Sequence, residues 1–147
     1  MIENLEELLD EVRLLWHVLA QSAEQLHAKE PVTLGMRAIL EFLAFGGPTT
    51  VPRIARSRHV TRQHIQTLVN ALLDLDLVVL ETNPEHRRSA LVRLTPKGQK
   101  AIVRMKQREQ RFLERLGFGA KTTELVQAAQ TLRTIRKTLE AGHELIA

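Results

Sequence analysis

The chain has 147 residues, 44% of them hydrophobic and 26% charged, with a net charge of +4 and no cysteine. That length suits about one domain with a core that needs no metal or disulfide to fold, and the lack of cysteine excludes thiolate metal sites, a cysteine nucleophile and thiol redox sensing. Aromatic residues make up 3%, with no tyrosine, which argues against a base-stacking platform, and no apolar run approaches the roughly 18 residues of a membrane span.

The N-terminal run MIENLEELLDEV is acidic and amphipathic, unlike a signal peptide, so the expected compartment is the cytoplasm. From Glu3 to about His27, Leu5, Leu8, Leu9, Val12, Leu15, Trp16 and Leu19 recur at spacings that make one stripe of a long helix, which Pro31 closes. Thr33 can cap a second helix through Met36, Ile39, Leu40 and Leu43, ended by Gly46-Gly47-Pro48. Two short helical patterns follow, Val51–Ser57 and Thr61–Asp74, separated by Arg58-His59-Val60. Residues 77–80 and 90–94 read as two strands around the charged loop Asn83–Ser89. Thr95-Pro96 opens a basic helix to about Leu116, Gly117-Phe118-Gly119 breaks it, and a last helix runs from near Thr122 to the C-terminus.

Charge is unevenly spread along these elements. Residues 1–50 hold 3 basic and 8 acidic side chains, whereas residues 51–115 hold 14 basic and 6 acidic. A basic middle is the footprint of a polyanion partner, or else of a solvated basic surface. The segment Thr61–Leu72 favours the first. Ile65, Leu68, Val69 and Leu72 face a core, which leaves Arg62, Gln63, Gln66, Thr67 and Asn70 opposite. A solvated face prefers Lys and Glu pairs, whereas Arg, Gln and Asn pair with guanine or adenine edges in the major groove. Thr61 sits where its hydroxyl can cap this helix, although His64 stands where a capping box needs Glu or Gln. The three-residue turn suits a helix-turn-helix. Arg53, Arg56 and Arg58 on the supporting helix and turn then reach phosphates, and Thr61, His64 and His86 fall on the same face. At the hairpin tip, Arg87 and Arg88, with Arg93 on the return strand, either meet DNA or protect a sheet edge by charge.

These residues resemble the MarR-type winged helix-turn-helix transcriptional regulators. The resemblance rests on VTRQHIQTLVNALLDLDLVV, on the wing NPEHRRSALVRLTPKG, and on the long helices outside them. Arg88 matches the family's wing arginine, and Leu94, Thr95 and Gly98 match its closing Leu-Thr-x-x-Gly. Asn83 and His86 stand where the family has aspartates, and Asp76 precedes Leu77-Val78 where it has glycine. The resemblance implies a mainly α fold with a small two-stranded β wing and long N- and C-terminal dimerisation helices. Residues 1–32 would be the first of these, 33–98 the winged DNA-binding region and 99–147 the helical dimerisation region of one integrated domain. The C-terminal stripe of Leu125, Val126, Ala129, Leu132, Ile135 and Leu139 agrees with a homodimer, with an intramolecular bundle as the alternative.

The function so implied is sequence-specific binding of a palindromic double-stranded operator by that homodimer, with repression relieved by a small aromatic or acidic effector. Arg62, Gln63, Gln66, Thr67 and Asn70 would read bases, Arg88 would enter the minor groove, and the remaining arginines would hold phosphates. Arg13, Trp16 and His17 on the first helix and Met36, Arg37 and Phe42 on the second are the expected effector pocket, although Trp16 also suits a dimer core. The six histidines show no paired ligand spacing, and no nucleophile elbow, P-loop or dinucleotide motif occurs, so neither metal, cofactor nor enzyme activity is expected. A winged-helix module for an acidic protein partner is the rival reading; it predicts no sequence preference in DNA.

Overall fold

The computed structural model describes residues 1–142. In chain order it holds α1 (Ile2–Leu26), α2 (Leu34–Gly46), β1 (Thr49–Thr50), α3 (Val51–Arg58), α4 (Arg62–Asp74), β2 (Val78–Glu81), β3 (Leu91–Leu94), α5 (Pro96–Leu116) and α6 (Thr122–Gly142). The chain divides into two compact units, one of residues 1–112 and one from Leu113 onward. The expected continuation of the last helix to the C-terminus, with His143, lies outside the described residues.

In the first unit the helix caps follow local chemistry. The Thr33 hydroxyl accepts from Met36 N at 3.3 Å to start α2, and Gly47 ends it at φ 76, a left-handed conformation that costs glycine nothing. α1 stops at Leu26, close to the expected end near His27, where His27 leaves helical geometry and buries its imidazole at 5% exposure. The sheet has three strands where two are expected. β1 pairs antiparallel with β3 (Thr49 opposite Val92, Thr50 opposite Leu91), so β3 is central between β1 and β2.

The core collects one face from each of α2, α3, α4, α5 and the β2–β3 hairpin. Ile39 and Leu40 of α2, Ile54 of α3, Val69 and Leu72 of α4, Val92 of β3, and Ile102 and Met105 of α5 are all almost wholly buried. Each such side chain removed from water stabilises the fold by about 1.5–3 kcal/mol. Leu77 and Val78 fix where β2 leaves α4. Asp76 adopts φ 57, the left-handed region, and its carbonyl accepts from the Thr95 hydroxyl at 2.6 Å. That hydroxyl also accepts from Gly98 N at 3.0 Å, so one side chain caps α5 and holds the end of the α4 segment. Gly98 lies so close beneath that segment that a Cβ there would stand 2.0 Å from the Leu77 carbonyl oxygen.

In the second unit, α6 has no buried residue, and Leu125, Val126, Leu132 and Leu139 are exposed.

Candidate nucleic-acid interface

The expected reading face is built from α3 outward. The Thr50 hydroxyl accepts from Arg53 N to start α3, and His59 ends it at φ 53 while Val60 N donates to Ala55 O at 3.1 Å. This left-handed residue opens the three-residue turn, His59 to Thr61, between α3 and α4. Thr61 then caps α4 by accepting from His64 N at 3.1 Å. Ile65, Val69 and Leu72 bury one side of α4, and Arg62, Gln63, His64, Gln66, Thr67 and Asn70 are exposed. The apolar half of α4 locks onto the core and leaves the polar half facing water.

The wing is braced by a residue whose family position is aspartate. Asn83 is buried, and its Oδ1 accepts from Glu85 N at 3.1 Å, a local turn that asparagine supports as aspartate does. Ser89 N donates to His86 O at 3.0 Å and closes the tip. His86, Arg87 and Arg88 are thereby displayed to solvent. Between wing and α4 lies a cleft of about 420 Å³ lined by Val51, Pro52, Arg62, Gln63, Gln66, Leu80, Arg88, Ser89 and Ala90. The structure thus gathers Arg62, Gln63, Gln66 and Arg88, two cations and two amides, around one opening.

Other expected phosphate contacts are placed differently. Arg53 and Arg56 are exposed on α3. Arg58 donates from Nη2 to the Ala38 carbonyl of α2 at 2.6 Å. Arg93 pairs with Glu81 across the wing, Nε to Oε1 at 2.7 Å, which offsets its charge.

A second opening of about 230 Å³ lies among α1, α2 and α3. Its walls are Trp16, Leu19, Ala20, Ala23, Leu34, Arg37, Ala38, Glu41 and Arg58. Of the six residues expected in an effector pocket it takes Trp16 and Arg37. Met36 is buried in the core and Phe42 packs against it. Arg13 pairs with Asp10 on the exposed side of α1, and His17 is exposed outside these walls. Arg37 Nε is buried with no hydrogen-bond partner. Glu41 and Arg58 are wall residues that sequence reasoning missed, because the approach of α3 to α2 leaves no periodic signal.

Beside this opening an ionic cluster ties α1, α2 and α5. His27 Nε2 lies 2.7 Å from Glu109 Oε1, and Arg37 donates to Glu109 Oε2 at 2.6 Å and to Glu41 Oε1 at 2.8 Å. Arg104 holds Glu30 through two bonds of 3.0 Å, and Arg108 adds a longer one. The hydrogen bond from Arg104 and the charges of Arg104 and Arg108 lower the Glu30 pKa, against its desolvation by burial. Arg104 is correspondingly raised. Among the described residues no group of three or more His, Asp or Glu is placed to hold a metal ion, and no helix is long and apolar enough to cross a membrane.

Comparison with known proteins converges on one family. The sequence profile of the MarR family matches residues 37–89. The chain is 30% identical over 141 residues to the uncharacterized protein Rv2011c of Mycobacterium tuberculosis, covering 96% of this chain and 98% of that one. Its fold is similar to the crystal structure of the MarR family transcription regulator SP03579, with a TM-score of 0.82, 26% identity, and 95% of this chain and 93% of the other covered. It is also similar to Staphylococcus aureus MarR in complex with salicylate and kanamycin, with a TM-score of 0.79, 20% identity and 92% of each chain covered.

Proposed function

Because this chain belongs to the MarR family of transcriptional regulators, we propose that it acts as a homodimeric, sequence-specific binder of duplex DNA that represses nearby genes until a small molecule releases it. The carrying observation is the single cleft that gathers Arg62, Gln63 and Gln66 of α4 with Arg88 of the wing. Seated on a duplex, α4 enters the major groove, where Arg62, Gln63, Gln66 and Asn70 meet base edges. Thr67 contributes its methyl group there, since its hydroxyl is bonded to Gln63 O. Arg88 reaches the adjoining minor groove, where negative potential concentrates. Arg53, Arg56 and Arg87, with Thr61, His64 and His86 beside them, hold phosphates and set the register. Arg58 and Arg93 have protein partners and contribute less.

Dimerisation is supported by exposed apolar helices. Leu125, Val126, Leu132 and Leu139 of α6 are 55%, 53%, 39% and 53% exposed, and Leu15, Trp16 and Leu19 of α1 are exposed as well. Apolar stripes of this length call for a partner surface. A two-fold dimer carries two reading heads about one DNA turn, roughly 34 Å, apart and reads a palindrome.

The opening beside Trp16 and Arg37 is the proposed effector site. Its walls offer an aromatic face and the guanidiniums of Arg37 and Arg58, with the Glu41 carboxylate already paired to Arg37, which together suit a small aromatic anion. The S. aureus MarR of similar fold carries salicylate. An anion that draws Arg58 from Ala38 O would loosen the link between α2 and α3 and so disturb the spacing of the heads.

Selection from a random duplex pool at about 0.15 M salt, where non-specific attraction is weakened, tests the reading. The expected result is an enriched palindrome with half-sites one turn apart. A folded dimer that enriches nothing would overturn it in favour of an acidic protein partner.

A further inference from the structure

Gln66 and Asn70 lie one helical turn apart on α4, and both are exposed. Gln66 Nε2 donates to Asn70 Oδ1 at 2.9 Å. A primary amide carries two N–H donors and one carbonyl acceptor. After this bond Gln66 retains one N–H beside its whole Oε1. A donor next to an acceptor, held in one plane, is the pattern that engages N7 and the N6 amino group of adenine. An unrestrained glutamine would instead have to give up its rotamer freedom on contact with the base. Thr67, between the two on the helix, spends its hydroxyl hydrogen on Gln63 O at 3.0 Å. It therefore offers no competing donor to the same base.

We propose that Gln66 and Asn70 form one composite reader, in which Asn70 orients the Gln66 amide to select adenine. This deepens the DNA-reading proposal, rests on it and replaces the direct base contact of Asn70 in it: Asn70 acts through Gln66 as a positioning residue. A bland account exists, since amide pairs at this spacing slightly stabilise helices. That account predicts a small change in stability and none in base preference.

The test uses the operator recovered by selection and measures affinity on versions carrying each of the four bases at the position that Gln66→Ala levels. Gln66→Ala should cost roughly ten- to a hundred-fold on the adenine site, the range of one bidentate base contact. Asn70→Ala should flatten the same position by about three- to ten-fold, and the double variant should be no worse than Gln66→Ala within about two-fold, the non-additivity of coupled residues. Asn70→Asp keeps an acceptor for Gln66 Nε2, so it should keep the adenine preference while lowering affinity for every duplex by charge repulsion. Additive losses in the double variant, or an Asn70→Ala effect confined to a different base pair, would overturn the composite reader and leave DNA reading intact. A wild-type protein that enriches no sequence would overturn both.

Discussion

Two regions of this molecule treat their apolar residues in opposite ways. The winged region turns Ile54, Val69, Leu72 and Val92 inward until almost nothing of them touches water. α1 and α6 bury no residue at all, yet both carry long apolar stripes. That core, completed by Ile102 and Met105 of α5, holds the winged region together, and the exposed face of α4 can be polar because its opposite face supplies the adhesion. The terminal helices postpone their burial. Under the proposed dimerisation, their stability depends on concentration in a way that the winged core does not.

Substitutions can break this contrast. Leu40→Ala in the core should cost about 2–5 kcal/mol, the range for such truncations, at every protein concentration. Leu132→Ala on α6 should leave a dilute sample nearly unchanged and lower the melting temperature only at concentrations where the proposed dimer forms. Thermal melts at several concentrations check both, and a concentration-independent loss for Leu132→Ala would contradict the division. Next in size is Gly98→Ala. Its Cβ would stand 2.0 Å from the Leu77 carbonyl, so backbone must move, at about 3 kcal/mol. A denaturant titration showing wild-type stability would mean that the α5 start and the α4 exit are not pressed together.

Acid sharpens the comparison at the α1–α5 clasp. The Glu30 pKa is depressed below its ordinary 4.5 by Arg104 and Arg108. A carboxylate depressed on folding stabilises at pH above its unfolded value, and that contribution is lost as pH falls through the lower folded value. Stability should therefore drop below about pH 4.5, and Arg104→Gln should make the drop shallower. The effect is modest, since Arg104 is half-exposed and solvent screens the pair. Denaturant midpoints between pH 6 and 3 decide it; equal slopes in both proteins would remove Glu30 from the account. Asp76→Gly should have the smallest effect, a gain of about 0.5 kcal/mol from relief of the left-handed backbone, offset partly by glycine's entropy. A loss of stability there would show that the Asp76 side chain holds a contact worth more than the strain.

Much of this was legible in the sequence where the cause is local. The caps at Thr33 and Thr61, the core face of α4 and the type of its opposite face all follow from neighbours within one turn. That Arg88 and Gln66 line one cleft was legible only through the wing motif. β1 escaped because two residues have no periodicity; Thr49-Thr50 is a strand only because β3 lies beside it. The bond from Arg58 to Ala38 crosses 20 positions, and no spacing rule reaches that far. It turned an expected phosphate contact into a wall of the α1–α3 opening. Arg13, Met36 and Phe42 went the other way, since helix stripes do not say which neighbour each side will meet.

The bond between His27 and Glu109 joins residues 82 positions apart. Closing so long a loop costs chain entropy that contacts between near neighbours do not. The clasp is therefore expected to form after the rate-limiting step of folding. Interactions made that late leave the folding rate alone and set the unfolding rate instead. His27→Gln should then steepen escape from the native state while refolding keeps its pace, and a chevron with an altered folding limb would contradict this. On this view the clasp works as a timer: it governs how long the folded winged region lasts, and not how soon it is made.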